Sequence, residues 1–220
     1  MNLRWTRIVW LVALTMFTGC GQSGPVGGGG KTLSPSELTE TQQGQHEIAL
    51  AARDALFQRL LERLMEALTS SGPAAAIEVC GRQAPQIAAD VSQQYGVSIG
   101  RTSHRLRNPK NAAPDWAKSL VDSQVAEPQL IALADGHLGV LLPIRLKAQC
   151  LMCHGPKEQV LPDVQAAIGR AYPNDQATGF QEGDLRGWFW LSVPEDAQKR
   201  SATERNGDDK PVGVDRTGES

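Results

Sequence analysis

The chain has 220 residues, 40% of them apolar and 21% charged, which fits one ordinary globular domain with appendages. Its formal net charge of −2 provides no electrostatic case for nucleic acid as a partner.

The N-terminal "MNLRWTR" carries Arg4 and Arg7 and leads into the apolar run "IVWLVALTMF". That run is too short to span a bilayer and has the length of a signal-peptide h-region, so residues 1–19 are predicted to be an export signal. The run ends in "FTGCG", which resembles the lipobox of bacterial lipoproteins, with Phe17 where the pattern usually has an aliphatic residue. Cys20 is therefore the predicted lipidation site, and the mature protein is expected in the periplasm, held at a membrane surface by acyl chains. A soluble periplasmic or secreted form is the alternative.

Residues 21–35, "GQSGPVGGGGKTLSP", hold six glycines and no aromatic and read, with Cys20, as a flexible tether over 20–35. Residues 195–220 hold twelve charged side chains and no aromatic. They cannot bury enough apolar area to offset the entropy of ordering, so they read as a disordered tail. One domain is left, residues 36–194, long enough to enclose a ligand in its core.

The first helix is predicted to start at Ser34, with Pro35 next and Glu37 completing a capping box. Apolar residues at 50, 57, 60, 61, 64 and 68 continue it to "SSGP" at 70–73. A second helical stretch from Ala74 to Gly96 puts Ile77, Cys80, Ala84, Ile87 and Val91 on one stripe, which Pro85 is expected to kink or divide. Short segments come next: "VSIGRTS", a helical "PDWAKSLVDSQ" at 114–124, and "QLIALADGHLGVLL", where Asp135-Gly136 signals a hairpin. Pro143 restricts the second hairpin strand to an edge or bulge position beyond Leu142. A short helix near 162–171 and a last strand, "LRGWFWLSV", complete an α+β order with helices first and antiparallel strands later.

Between hairpin and helix stands "AQCLMCHG", residues 148–155, with Cys150 and Cys153 three apart and His154 next. A structural zinc site needs four ligands, and the chain has no second CxxC or HxxxH. A thioredoxin-like dithiol needs its first cysteine at a helix N-terminus inside a βαβ unit, whereas Gly155-Pro156 comes here at once. Covalent haem satisfies every local demand: two cysteines suited to the porphyrin vinyl groups, and a histidine placed to reach the iron. Such attachment takes place outside the cytoplasm, in agreement with the export signal.

Assigning Cys20 to lipid and Cys150 with Cys153 to one haem c leaves Cys80 alone. From spacing, Cys80 is either an inert core cysteine or a soft ligand on a buried face. Met65 on the first helix is possible as a sixth ligand but reads as core, and His46, His104 and His137 read as exposed. Arg101, Arg105, Arg107 and Lys110 form a basic cluster that either is solvated or lends one member, Arg101 first, to a haem propionate.

The segment "IEVCGRQAPQIAADVSQQYGVSIGRTSHRLRNPKNAAPDWA" at 77–117, with "CLMCHG", "AYPNDQATGF" and "EGDLRGWFWLSV", resembles the small exported monohaem c-type proteins with a PAS-like haem domain, first characterised in cyanobacteria. The resemblance runs from about residue 45 to 193. It implies a PAS-like antiparallel sheet with N-terminal helices packed around a covalent haem, whose iron is held by His154 on one side and Cys80 on the other. His104 departs from the family pattern, where an apolar residue is expected, and is a second candidate ligand. Thiolate ligation implies a low reduction potential. The expected role is electron transfer in the periplasm with a separate redox partner, or else redox or gas sensing through a signalling partner. An enzyme such as a peroxidase is not expected, because Cys80 would fill the position that peroxide needs.

Overall fold

A computed structural model describes residues 30–197. The export signal, Cys20, residues 21–29 of the tether and residues 198–220 of the tail lie outside the described residues.

Helix formation follows the capping chemistry but starts later than predicted. Ser34 opens a single 3-10 turn, Pro35–Glu37, in which its N–H donates to the Glu37 carboxylate at 2.8 Å. The long helix α1, Glu40–Glu78, begins at a second capping box: Thr39 Oγ1 accepts from Gln42 N at 3.2 Å, and Gln42 Oε1 accepts from Thr39 N at 3.1 Å. Its helical conformation is interrupted at Gly72, at φ 81°, so the two helical stretches predicted on either side of "SSGP" are present. A side chain would be strained at that φ, and Pro73 needs no N–H partner in the opening turn of the second stretch.

The kink expected at Pro85 takes the form of a π turn, Val79–Gln83, immediately before it. Proline has no N–H to give the carbonyl four residues back and its ring crowds that turn. The backbone answers by widening: Ala84 N–H bonds the Val79 carbonyl, five residues back, and α2, Ala84–Tyr95, continues from there. Cys80 belongs to this turn.

Five strands form one antiparallel sheet: β1 Lys31–Leu33, β2 Ser98–Thr102, β3 Gln129–Ala132, β4 Leu138–Arg145 and β5 Leu185–Val193, in spatial order β1-β3-β4-β5-β2. β1 lies inside the segment expected to be tether, so the ordered unit starts earlier than residue 36, with Leu33 opposite Leu130. The predicted hairpin is present, with Gly136 at φ 79° in the turn between β3 and β4. β4 pairs with β3 only as far as Leu141, so Pro143 falls where β5 is its sole strand neighbour among the described residues, and a bulge comes next at Ile144/Arg145. Proline is tolerated there because no ladder bond is lost on the open side.

Alternation along β5 sends its side chains to two faces. Phe189, Leu191 and Val193 join Leu130, Leu138, Val140 and Ile99 under Ala49, Ala52 and Leu56 of α1 and Val91 of α2. Trp188 lies on the other face with Ile131, Leu141 and the helix α3, Lys118–Asp122, while its indole N–H donates to the Val125 carbonyl at 2.9 Å. Both faces of the last strand therefore pack, and each fully buried aliphatic side chain stabilises by about 1.5–3 kcal/mol. No helix among the described residues is long and apolar enough to cross a membrane.

Candidate functional site

Beyond the end of β4 the chain is clamped before it reaches the CxxCH motif. Leu146 N donates to the Asp184 carbonyl at 3.0 Å, and Gly183 N donates to the Leu146 carbonyl at 2.8 Å. A 3-10 turn, Ala148–Cys150, then runs into the one-turn helix α4, Leu151–His154. Gly155 N closes that turn onto the Leu151 carbonyl at 2.8 Å, and a Cβ at Gly155 would stand 2.6 Å from the same oxygen. Only glycine allows so tight a closure. A second segment holds the motif from outside: Phe180 N donates to the His154 carbonyl at 3.0 Å and Gly179 N to the Gly155 carbonyl at 2.7 Å.

The two motif cysteines face different apolar clusters. Cys150 packs with Leu146, Ala177 and Phe180, while Cys153 packs with the cluster of Ile77, Val160, Val164 and Tyr172. The latter is built largely by α5, Pro162–Ala171, lying against α1. Both cysteines are half-buried and not joined by a disulfide.

His154 is oriented by a main-chain oxygen. Its Nδ1 lies 2.7 Å from the Ala177 carbonyl, and since a carbonyl can only accept, Nδ1 carries the proton. Nε2 is left with its lone pair, the tautomer that ligates a metal. Arg186 Nε also approaches Nδ1, at 3.3 Å, but two N–H groups cannot bond each other, so this is a close approach of a cation and not a hydrogen bond. Burial holds the imidazole well below its ordinary basicity, and the charges of Arg107, Arg186 and Arg101 add to this against the opposing Ala177 bond. The ring is therefore neutral and available as a ligand.

The Ala177 carbonyl is itself braced. Asp175 accepts from Ala177 N at 3.0 Å and from Arg107 Nε at 3.0 Å. Arg107 Nη2 also reaches the Cys153 carbonyl at 2.6 Å and the Ala177 carbonyl at 3.2 Å. One buried guanidinium thus ties the CxxCH turn to the segment that aims His154.

The π turn is brought to the same place. Ile77 shares the cluster of Cys153, and a Cβ on Gly81 would stand 2.7 Å from Tyr172 Oη, on a ring of that cluster too. The backbone on both sides of Cys80 thus passes alongside the CxxCH region; the Cys80 side chain lies outside the described residues.

The fold has a known counterpart. The model of the Tll0287-like family matches residues 34–194. The chain belongs to the Tll0287-like family. Among solved structures it is similar to the cyanobacterial heme-protein Tll0287, with a TM-score of 0.52 and 20% identity over 71% of this chain and 97% of that one. No curated protein matches it.

In this Tll0287-like chain the residues fit a covalent haem. Two cysteines without a disulfide flank one turn, the histidine after them presents a neutral nitrogen, and cations crowd the site. No group of three or more His, Cys, Asp or Glu that could hold a metal ion occurs among the described residues. A porphyrin would need only the two axial donors from the protein, whereas zinc would need four.

The predicted basic cluster divides. Arg105 donates to the Gln176 carbonyl at 2.9 Å and to the Thr178 carbonyl, and its guanidinium lies 4.2 Å over the Phe180 ring. Arg107 is paired with Asp175, while Arg101 and Lys110 line a cleft with Ala84, Ala88, Gly100 and Trp190. Arg186, which directly faces His154, is not among the four. Its neighbour in the chain carries a signal for it: a Cβ on Gly187 would stand 2.2 Å from the Thr102 carbonyl, so glycine there lets β5 press against Thr102 and Ser103. Burial first, then Arg107 and Arg101, push the Arg186 guanidinium down to about 10.

His104 packs edge-on against Phe180 and Trp188, with centroid separations of 6.3 and 5.9 Å. Its Nδ1 is buried and has no hydrogen-bond partner, so this histidine is less exposed than predicted. His137 Nδ1 meets Ser192 Oγ at 2.9 Å. Met65, expected in the core, is instead 46% exposed.

Proposed function

We propose that this protein binds one haem c, attached through Cys150 and Cys153 and held axially by His154 and Cys80, and that it carries electrons in the periplasm. The observation that supports this most directly is the tautomer of His154: its Nδ1–H is taken by the Ala177 carbonyl at 2.7 Å, immediately after two cysteines that are not disulfide-bonded. The cyanobacterial structure it resembles is described as a heme-protein, in line with the same reading. Bound there, haem iron supplies reversible one-electron exchange. Ala177 and Arg107 hold the proximal ring still, so that it need not reorganise. Cys80, as thiolate, would favour the ferric state and set a low potential. With both axial positions taken by side chains, the role is not enzymatic. Export by residues 1–19 and acylation of Cys20 would tether the domain to the membrane surface.

A second reading has its own support. Cys80 sits in a π turn whose hydrogen bonds are shifted to i−5, an element with an alternative pairing close at hand. A redox or gas sensor that releases Cys80 and relays the change to a separate partner would use that turn.

Production together with a cytochrome c maturation system tests the proposal. The expected product retains one haem mass after denaturation, and loses it when Cys150 and Cys153 are both changed to Ser. A colourless wild-type product would refute it. Slow reaction of the reduced protein with carbon monoxide would favour electron transfer, and fast binding would favour sensing.

A further inference from the structure

Arg186 is a cation whose environment lacks an anion. It is half-buried on β5, and its Nη1 donates to Ser103 Oγ at 2.8 Å and to the Arg105 carbonyl at 3.2 Å. Ser103 in turn donates to the Arg186 carbonyl at 2.7 Å, so the side chain is held from both ends. Every partner is neutral: among the described residues no carboxylate lies within ion-pair distance of this guanidinium. The acid whose charge acts on it, Asp175, is already committed to Arg107. Placing a charge out of water beside like charges is costly unless a counter-charge arrives.

Resting on the haem reading above, we propose that Arg186 is the cation that receives a haem propionate and, beside His154, sets the reduction potential of the site. Arg105 and Arg107 have their N–H groups turned to main-chain oxygens or to Asp175. Arg186 keeps an arm for a carboxylate that none of the described residues supplies, and a guanidinium fork matches a carboxylate in two parallel bonds. Its Nε already stands 3.3 Å from His154 Nδ1, so its charge lies directly beside the ligand. A fixed cation there disfavours the ferric state and opposes the effect of a thiolate. Arg186 is thus a positioning residue for the cofactor and not a ligand.

The test uses the matured, haem-loaded protein and reads potential and resonance Raman spectra. Arg186→Gln should shift the reduction equilibrium at least tenfold toward ferric, about 59 mV for one electron, and displace the propionate bending band. Arg105→Gln should change neither by a comparable amount. If Arg186→Gln does not mature, Arg186→Lys serves: it keeps the charge but not the fork, so the band should move while the potential stays near wild type. An unmoved band in either variant, or an equal change in Arg105→Gln, overturns the proposal while leaving haem binding intact. A wild-type protein that takes up no haem would instead remove the reading on which it rests.

Discussion

His154 Nδ1 lies 2.7 Å from the carbonyl oxygen of Ala177, twenty-three residues further along the chain. That single contact assigns the imidazole its tautomer and so decides which nitrogen keeps its lone pair. It also links the motif to Asp175 and Arg107, which hold Ala177 in place.

Replacing His154 with Ala should leave covalent haem attached through Cys150 and Cys153 while removing one axial donor. The expected result is a protein that keeps its haem mass after denaturation but shows a high-spin spectrum in place of the wild-type low-spin one. Absorption and electron paramagnetic resonance check this, and an unchanged spectrum would exclude His154 as a ligand.

Cys80→Ala should alter the ferric paramagnetic resonance signal and raise the potential, since a thiolate donor is lost. His104→Leu, which alters a ring packed on Phe180 and Trp188, should leave that signal in place. The reverse pattern would transfer the sixth position to His104, and a methionine-like positive potential in the wild type would rule out thiolate ligation.

Asp175→Ala strands the buried guanidinium of Arg107, whose side chain is 7% exposed, opposite a carboxylate that is 9% exposed. Breaking such a pair costs about 3–5 kcal/mol because a charge is left uncompensated. Urea denaturation should report that loss, and the double variant with Arg107→Met should recover part of it, since no charge is then left behind.

Stability should fall as the solution is made acid. Burial, then Arg105 and Arg186, hold the His104 imidazole below its ordinary 6.5, and burial also lowers His46. Above 6.5 both rings are neutral in the folded and unfolded chain, so pH has no effect through them. Below it the unfolded chain takes up protons that the folded one refuses, and unfolding is favoured until the folded values are reached. Denaturation midpoints measured across this range should show less decline in His104→Phe.

Much of the local structure is legible in the residues themselves. Asp135-Gly136 produces the hairpin, Gly72-Pro73 breaks the first helix, and "LRGWFWLSV" is a strand with both faces covered. Each depends on backbone preferences or on alternation within a few residues. β1 escapes a local reading because Lys31–Leu33 is short and comes after a glycine run, and it becomes a strand only by pairing with β3 about a hundred residues later. Ser34 reads as the cap of the long helix because two capping boxes stand five residues apart, and only the second leads into a face that can be buried.

The candidate site divides in the same manner. Two cysteines and a histidine within five residues are a local chemical pattern, so the sequence alone determined the motif and the cofactor class it suits. The groups that orient and charge it are the Ala177 carbonyl, the Arg107–Asp175 pair, Arg186 and the π turn beside Tyr172, and only the tertiary structure decided these. The reason is physical: main-chain carbonyls leave no mark in a sequence, and the surroundings of an arginine depend on which distant strands and turns the core draws together.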